Sequence, residues 1–326
     1  MNEEDAFGAL LGKTRPPKAG ALVASPPGPA TAPGPAPVPQ PAATLPAKPA
    51  FGFWLLIGVG LALNAAWIYL ATLLLDQALT AGWLDPEMSP GKIDLIANLL
   101  VFSGVLLISW VLMRFSPVEA PKRLLRSAPA FAIGVALGTF GMLIALLQSW
   151  VGNHAVANPE PAGIAGLELI TASLVTLFAA AVEEFCLRGW LQQRLVPRVG
   201  GTAAVTLAAI AFSALHLSGG ARSVLSLANI FLAGLLFGLL MLRTGNLWCS
   251  IGAHFAWNWS EAELFGLDPN PGSPPHGSIF DFELVGAAIW GGSGEGMNVA
   301  VPVTIALTAL ILPLLAAGDR TSAGKT

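Results

Sequence analysis

Charge is what this sequence has least of. Asp, Glu, Lys and Arg make up 11% of its 326 residues, against about 25% in a soluble domain. With 54% of residues hydrophobic, that scarcity excludes an ordinary soluble fold and points to a polytopic membrane protein. Net charge is −3 and no basic block is present, so nucleic acid is not an expected partner. Cysteine is scarce too. Cys186 and Cys249 both sit in apolar runs, which leaves no disulfide framework or zinc-type spacing and reads as two small core residues. The HExxH helix of many zinc proteases is absent. Residues 1–49 lack apolar residues enough for a core and are Pro/Ala-rich. They read as a disordered cytoplasmic tail with no apolar segment of signal-peptide type.

What the chain does have is long apolar runs. They predict spans at about 51–75, 94–113, 128–150, 164–195, 203–218, 223–243, 247–265 and 299–317. The expected fold is an all-α bundle of about eight transmembrane helices, a membrane domain over 50–318 followed by a short tail at 319–326. A further apolar piece, Ile279–Trp290, is too short to span and should lie at the interface or pack on the bundle. With the N-terminus inside, all of the 16 basic residues but Lys92 and Arg222 fall on inner segments. The positive-inside rule then puts both termini in the cytoplasm. The loop 266–298 is acidic and rich in Pro and Gly, as an outer loop can be. Its His276, and His154 in an earlier outer loop, read as surface residues.

Against this apolar background four polar groups stand out: Glu183-Glu184 with Arg188, His216, His254, and Asn258. A charge at the bilayer centre costs at least about 2.5–3.5 kcal/mol, so such residues pair, line wet cavities or do chemistry. Residues four apart share a helix face. Glu184 and Arg188 therefore pair, in the favourable acid-first order. Glu183, rotated by about 100°, is left for another partner. His254 and Asn258 share a face, and Phe212 lies one turn beneath His216. Glu183 lies 14 residues before Pro197 and His216 lies 14 residues after Thr202, each about 21 Å from the turn between them. His254 and Asn258 follow the next turn, Thr244-Gly245-Asn246, by about 12–18 Å. Three helices should converge at one depth, in a site entered from the cytoplasmic side.

Such a set suits hydrolysis. Glu183 can take a proton from water as it attacks an amide carbonyl, with His216 sharing that water. His254 and Asn258 can hold the developing oxyanion. In an alternative, Glu183, His216 and His254 bind zinc, which activates the water. Each element also has a plain structural use: Glu–Arg pairs clamp helices, buried histidines fill cores, and Asn glues spans together. A transporter or proton relay could use the same carboxylates, although no inverted repeat is evident.

Glu183-Glu184-x-x-x-Arg188, Phe212-x-x-x-His216 and His254-x-x-x-Asn258 resemble the three motifs of the CPBP family. These are the CAAX prenyl endopeptidase type II and bacteriocin-processing membrane proteases, also called the ABI family. The segment Arg243-Thr244-Gly245-Asn246-Leu247-Trp248 is similar as well, and the likeness covers about 165–260. The resemblance implies an eight-helix intramembrane endopeptidase in which Glu183 and His216 activate water and His254 and Asn258 complete the site. In eukaryotes the family's substrate is the C-terminus of a prenylated CAAX protein, matured by the cut. The Ala/Pro/Gly-rich composition implies a bacterial chain in the inner cell membrane. A bacterial member would cut membrane-associated proteins or peptides, or serve as a non-catalytic bacteriocin-immunity or scaffold protein.

Overall fold

The computed structural model describes residues 51–85, 87–115, 126–158, 163–217, 223–267, 274–291 and 294–317. The two tails expected from sequence lie outside these residues. Eight helices account for most of the described chain: α1 (Phe51–Thr80), α2 (Pro90–Phe115), α3 (Ser127–Val151), α4 (Gly166–Val199), α5 (Gly201–His216), α6 (Val224–Thr244), α7 (Leu247–Trp259) and α8 (Val301–Ala316). The all-α membrane bundle is thus borne out. Five helices, α1 to α4 and α6, are long and apolar enough to cross a membrane by themselves, while α5 and α8 are shorter apolar helices. The α7 helix continues as a π-turn over Ser260–Leu264.

Burial ranks these helices. Within their most apolar windows, α6 has 56% of its residues buried inside the protein and α2 has 11%. A helix apolar on all sides but buried on few can only face lipid, so α1 and α2 are peripheral and α6 is central. Local chemistry sets the turns that aim the central helices. Gly200, at φ +83°, separates α4 from α5, a conformation only glycine adopts freely. Gly245, at φ +61°, closes α6 in the left-handed cap geometry. The next residue, Asn246, caps α7 by accepting from the Trp248 backbone N–H at 3.1 Å.

Small residues bring the central helices together. Gly134 and Gly138 of α3 press on the α7 backbone at Cys249 and Ala253, and Gly252 of α7 presses on α3 at Phe131. A side chain at any of the three would meet main-chain atoms. Gly234 of α6 faces Ala209 of α5, and Gly238 faces the Val205 side chain. The α3–α7 pair runs parallel, and the α5–α6 pair antiparallel. Outside the bundle, Ala155–Ala157 (β1) pairs antiparallel with Phe282–Leu284 (β2), Ala155 opposite Leu284. Phe282 and Leu284 pack against the core, so part of the short apolar piece 279–290 lies on the bundle. Its strand pairing was not legible, because three residues are too few to display an alternation.

Candidate active site

The α4 helix changes its winding where the carboxylates lie. It is α-helical to Glu184 and π-helical over Phe185–Gln192, a distortion that often accompanies functional sites. On one face, Arg188 Nη1 donates to Glu184 Oε1 at 2.8 Å and Nη2 donates to the Gly234 carbonyl at 2.9 Å. One turn on, Gln192 Nε2 donates to the Gly238 carbonyl at 3.0 Å. Both carbonyls belong to the glycines that let α6 come close. Glu184 and Arg188 are fully buried. The guanidinium lies 4.8 Å from the centre of the Phe212 ring and 5.5 Å from that of Phe237, so aromatic faces cover a charge that no water reaches.

Glu184 Oε1 has a second partner, His254 Nδ1 at 2.9 Å. A carboxylate only accepts, so Nδ1–H is the donor, and the ring presents Nε2 to the other side. Phe237 stacks on that ring at 4.7 Å and Phe212 meets it edge-on at 5.6 Å. Nε2 lies 3.8 Å from Glu183 Oε2, too long for a hydrogen bond. Glu183 itself is one-quarter exposed, at 24% of its side chain. It points into a cavity of about 260 Å³ that His216, His254 and Asn258 also line.

The Nδ1 atom of His216 lies 2.9 Å from the Phe212 carbonyl. A carbonyl accepts, so Nδ1 carries the proton and Nε2 of the neutral ring holds a lone pair. Asn258 is exposed where it lines the cavity. A second cavity, about 760 Å³ and largely apolar, runs between α1, α2, α4 and α5 and shares Glu183, Phe212 and His216 with the first. No three of the described His, Cys, Asp and Glu side chains converge closely enough to hold a metal ion. The trio Glu183, His216 and His254 therefore does not fit zinc as arranged here.

All six sequence-derived polar residues meet, in two sets: Glu184, Arg188 and the Nδ1 side of His254 in a closed cluster, and Glu183, His216 and Asn258 on the cavity. The expected cytoplasmic entry is not supported. Asp94 near the start of α2, His276, and Asn298 just before α8 also line the cavity. These lie at the end of the bundle opposite the α4–α5 and α6–α7 turns. The reason is length. About 21 Å from the turn is already past the middle of a core about 30 Å thick, and His216 is the last residue of α5. The described arginines at helix ends (Arg114, Arg126, Arg194, Arg198, Arg243) cluster at the other end.

Both loop histidines also differ from expectation. The His276 side chain is 6% exposed and its Nε2 lies 3.3 Å from Asp94 Oδ2. His154 is half-buried and stacks on Trp290 at 5.0 Å. Phe237 and Asp94 were missed at the sequence level. A lone carboxylate in the apolar run of α2 was the available signal for Asp94; an aromatic in a greasy helix gives none.

Residues 165–260 match the family model of the type II CAAX prenyl endopeptidase Rce1-like proteins. That span holds all three motifs, the three helices that carry them (α4, α5 and α7), and α6 between them. That match supports the CPBP family. The match is to a family of membrane proteases, and the apolar helices fit a multi-pass membrane protein. No curated protein matches the chain.

Proposed function

We propose that this protein is an intramembrane endopeptidase cutting a peptide bond near the C-terminus of a membrane-associated substrate, CAAX-like prenylated proteins included. The observation that carries the reading is the pairing of two proton acceptors on one cavity. Glu183 has a carboxylate oxygen, Oε2, with no hydrogen-bond partner, and His216 has the Nε2 lone pair left by its bond to Phe212. Water held between them loses its proton to Glu183 as it attacks the carbonyl. The tetrahedral oxyanion then needs donors. Asn258 offers its amide N–H, and His254, held by the Glu184 carboxylate at Nδ1, turns Nε2 toward the same cavity. Return of the proton from Glu183 to the amine lets the C–N bond break. The apolar cavity beside Glu183 suits the lipid chain or membrane segment of the substrate.

The bacterial inner membrane, with both termini cytoplasmic, is the location this reading adopts from the basic residues. The test is cleavage of a prenylated or membrane-anchored peptide by protein in liposomes. Glu183→Gln and His216→Ala should each slow cleavage by about 10²-fold or more, and a chelator should leave it unchanged. Cleavage at the wild-type rate after both substitutions overturns the assigned roles. Loss to the chelator alone returns zinc to the site.

A further inference from the structure

The catalytic cavity has an acidic wall that the hydrolytic reading does not use. Asp94, Glu261 and Glu263 line it together with Glu183, and no described lining residue is Lys or Arg. The three come from two elements, α2 and the π-turn that extends α7. Glu263 is the informative one. It is 6% exposed, and Oε1 accepts from the Thr176 hydroxyl at 3.0 Å. Its Oε2 has no hydrogen-bond partner. An unsatisfied buried carboxylate oxygen is costly, and a positive group entering the cavity would satisfy it.

The wall is also built rather than incidental. The Glu263 carbonyl accepts from the Ile279 N–H at 2.8 Å, which ties the returning loop to the π-turn. Asp94 Oδ1 accepts from Asn98 at 2.9 Å while Oδ2 faces His276. Gly91 leaves the space that the His276 ring fills. These carboxylates do not converge tightly enough for a metal ion. The complement is therefore a cation that spreads its own N–H donors, an ammonium or guanidinium group.

We infer that Glu263 and Asp94 form a subsite for a Lys or Arg side chain of the peptide substrate, beside the bond that is cut. The inference rests on the reading that this cavity admits a peptide. It adds that the peptide is basic at one position near the cleavage site. It also separates substrates, since an acidic residue there would meet only like charge.

Binding and cleavage can be read separately on the full-length protein in lipid nanodiscs. The probes are fluorescent, farnesylated peptides with blocked termini, each with one Lys walked through successive positions, and matched sets with norleucine or Glu in its place. Blocked termini remove the free amine as a source of charge. At one position the Lys peptide should bind about tenfold more tightly than its norleucine match, and the Glu peptide more weakly still. Glu263→Gln, which keeps the acceptor for Thr176, should erase the preference and leave norleucine binding unchanged. Asp94→Asn should reduce it.

Equal affinity for all three sets in wild-type protein, or no binding by any, overturns the subsite without reliance on a variant. So does a Lys preference that survives both substitutions. Lys-selective binding without cleavage supports the subsite and sinks the protease reading instead.

Discussion

Glu184 and Glu183 are neighbours in the chain and sit in opposite worlds. On the Glu184 side, α4 meets α6 and α7, and polar groups are matched across the contact. Arg188 and Gln192 reach successive glycine carbonyls, His254 reaches Glu184, and Ser250 reaches the Phe237 carbonyl at 2.8 Å. On the Glu183 side, α4 faces α2 and α5 across two cavities, and carboxylate oxygens of Glu183 and Glu263 stand without hydrogen-bond partners. Glu184 Oε2, Arg188 Nε and Gln192 Oε1 also stand without hydrogen-bond partners, but they are closed in between helices, whereas Glu183 and Glu263 line a cavity. The difference teaches where to look for chemistry in such a bundle: next to a closed cluster, on the atoms it orients toward a cavity.

The sharpest way to break that contrast is to neutralise each side in turn. Glu183→Gln should slow cleavage by about 10²–10⁴-fold, the range for loss of a general base, with no change in the unfolding transition in detergent. Arg188→Ala should act the other way. It strands Glu184 in an apolar interior and should cost about 3–5 kcal/mol of stability, seen as a lower melting temperature even without substrate. If Glu183→Gln melts the protein and Arg188→Ala does not, the two sides have been misread. Asn258→Ala comes next. Loss of one oxyanion donor should lower kcat by about 10²–10³-fold with KM little changed. A change in KM alone would make Asn258 a ground-state contact.

The physics behind these contrasts was unevenly visible in the sequence. Helix number and position were legible because the bilayer fixes the length of an apolar run; α3 and α6 fall within a residue or so of their expected bounds. The Glu184–Arg188 pair was legible because four residues bring two side chains to one face. Contacts between elements were not. Glu184 meets His254 across 70 positions and Asp94 meets His276 across 182, and spacing within one helix says nothing about the rotation of another. The same limit applies to the entry side. Depth could be counted from a turn, but which loops fold back over the cavity could not. His276 looked like loop surface because the ring's partner, Asp94, lies in a different apolar run.

The smallest effect tests the border between the two regions. Ser213, three residues before His216, donates to the Leu227 carbonyl at 2.7 Å and joins α5 to α6. Hydrogen bonds between membrane helices average about 0.6 kcal/mol. The Leu227 carbonyl lies inside α6 and keeps its helical N–H partner when the hydroxyl goes, so no orphan is created. Ser213→Ala should therefore cost about 0.6 kcal/mol in unfolding and change cleavage less than tenfold. The α5 helix needs only to present His216 to the cavity, and Ala209 and Val205 against the α6 glycines already hold it. A loss as large as that of Arg188→Ala would mean that α5 depends on the clamp as α4 does. His216 would then belong to the closed side, and the division between holding and reacting groups would run through α5 rather than between Glu183 and Glu184.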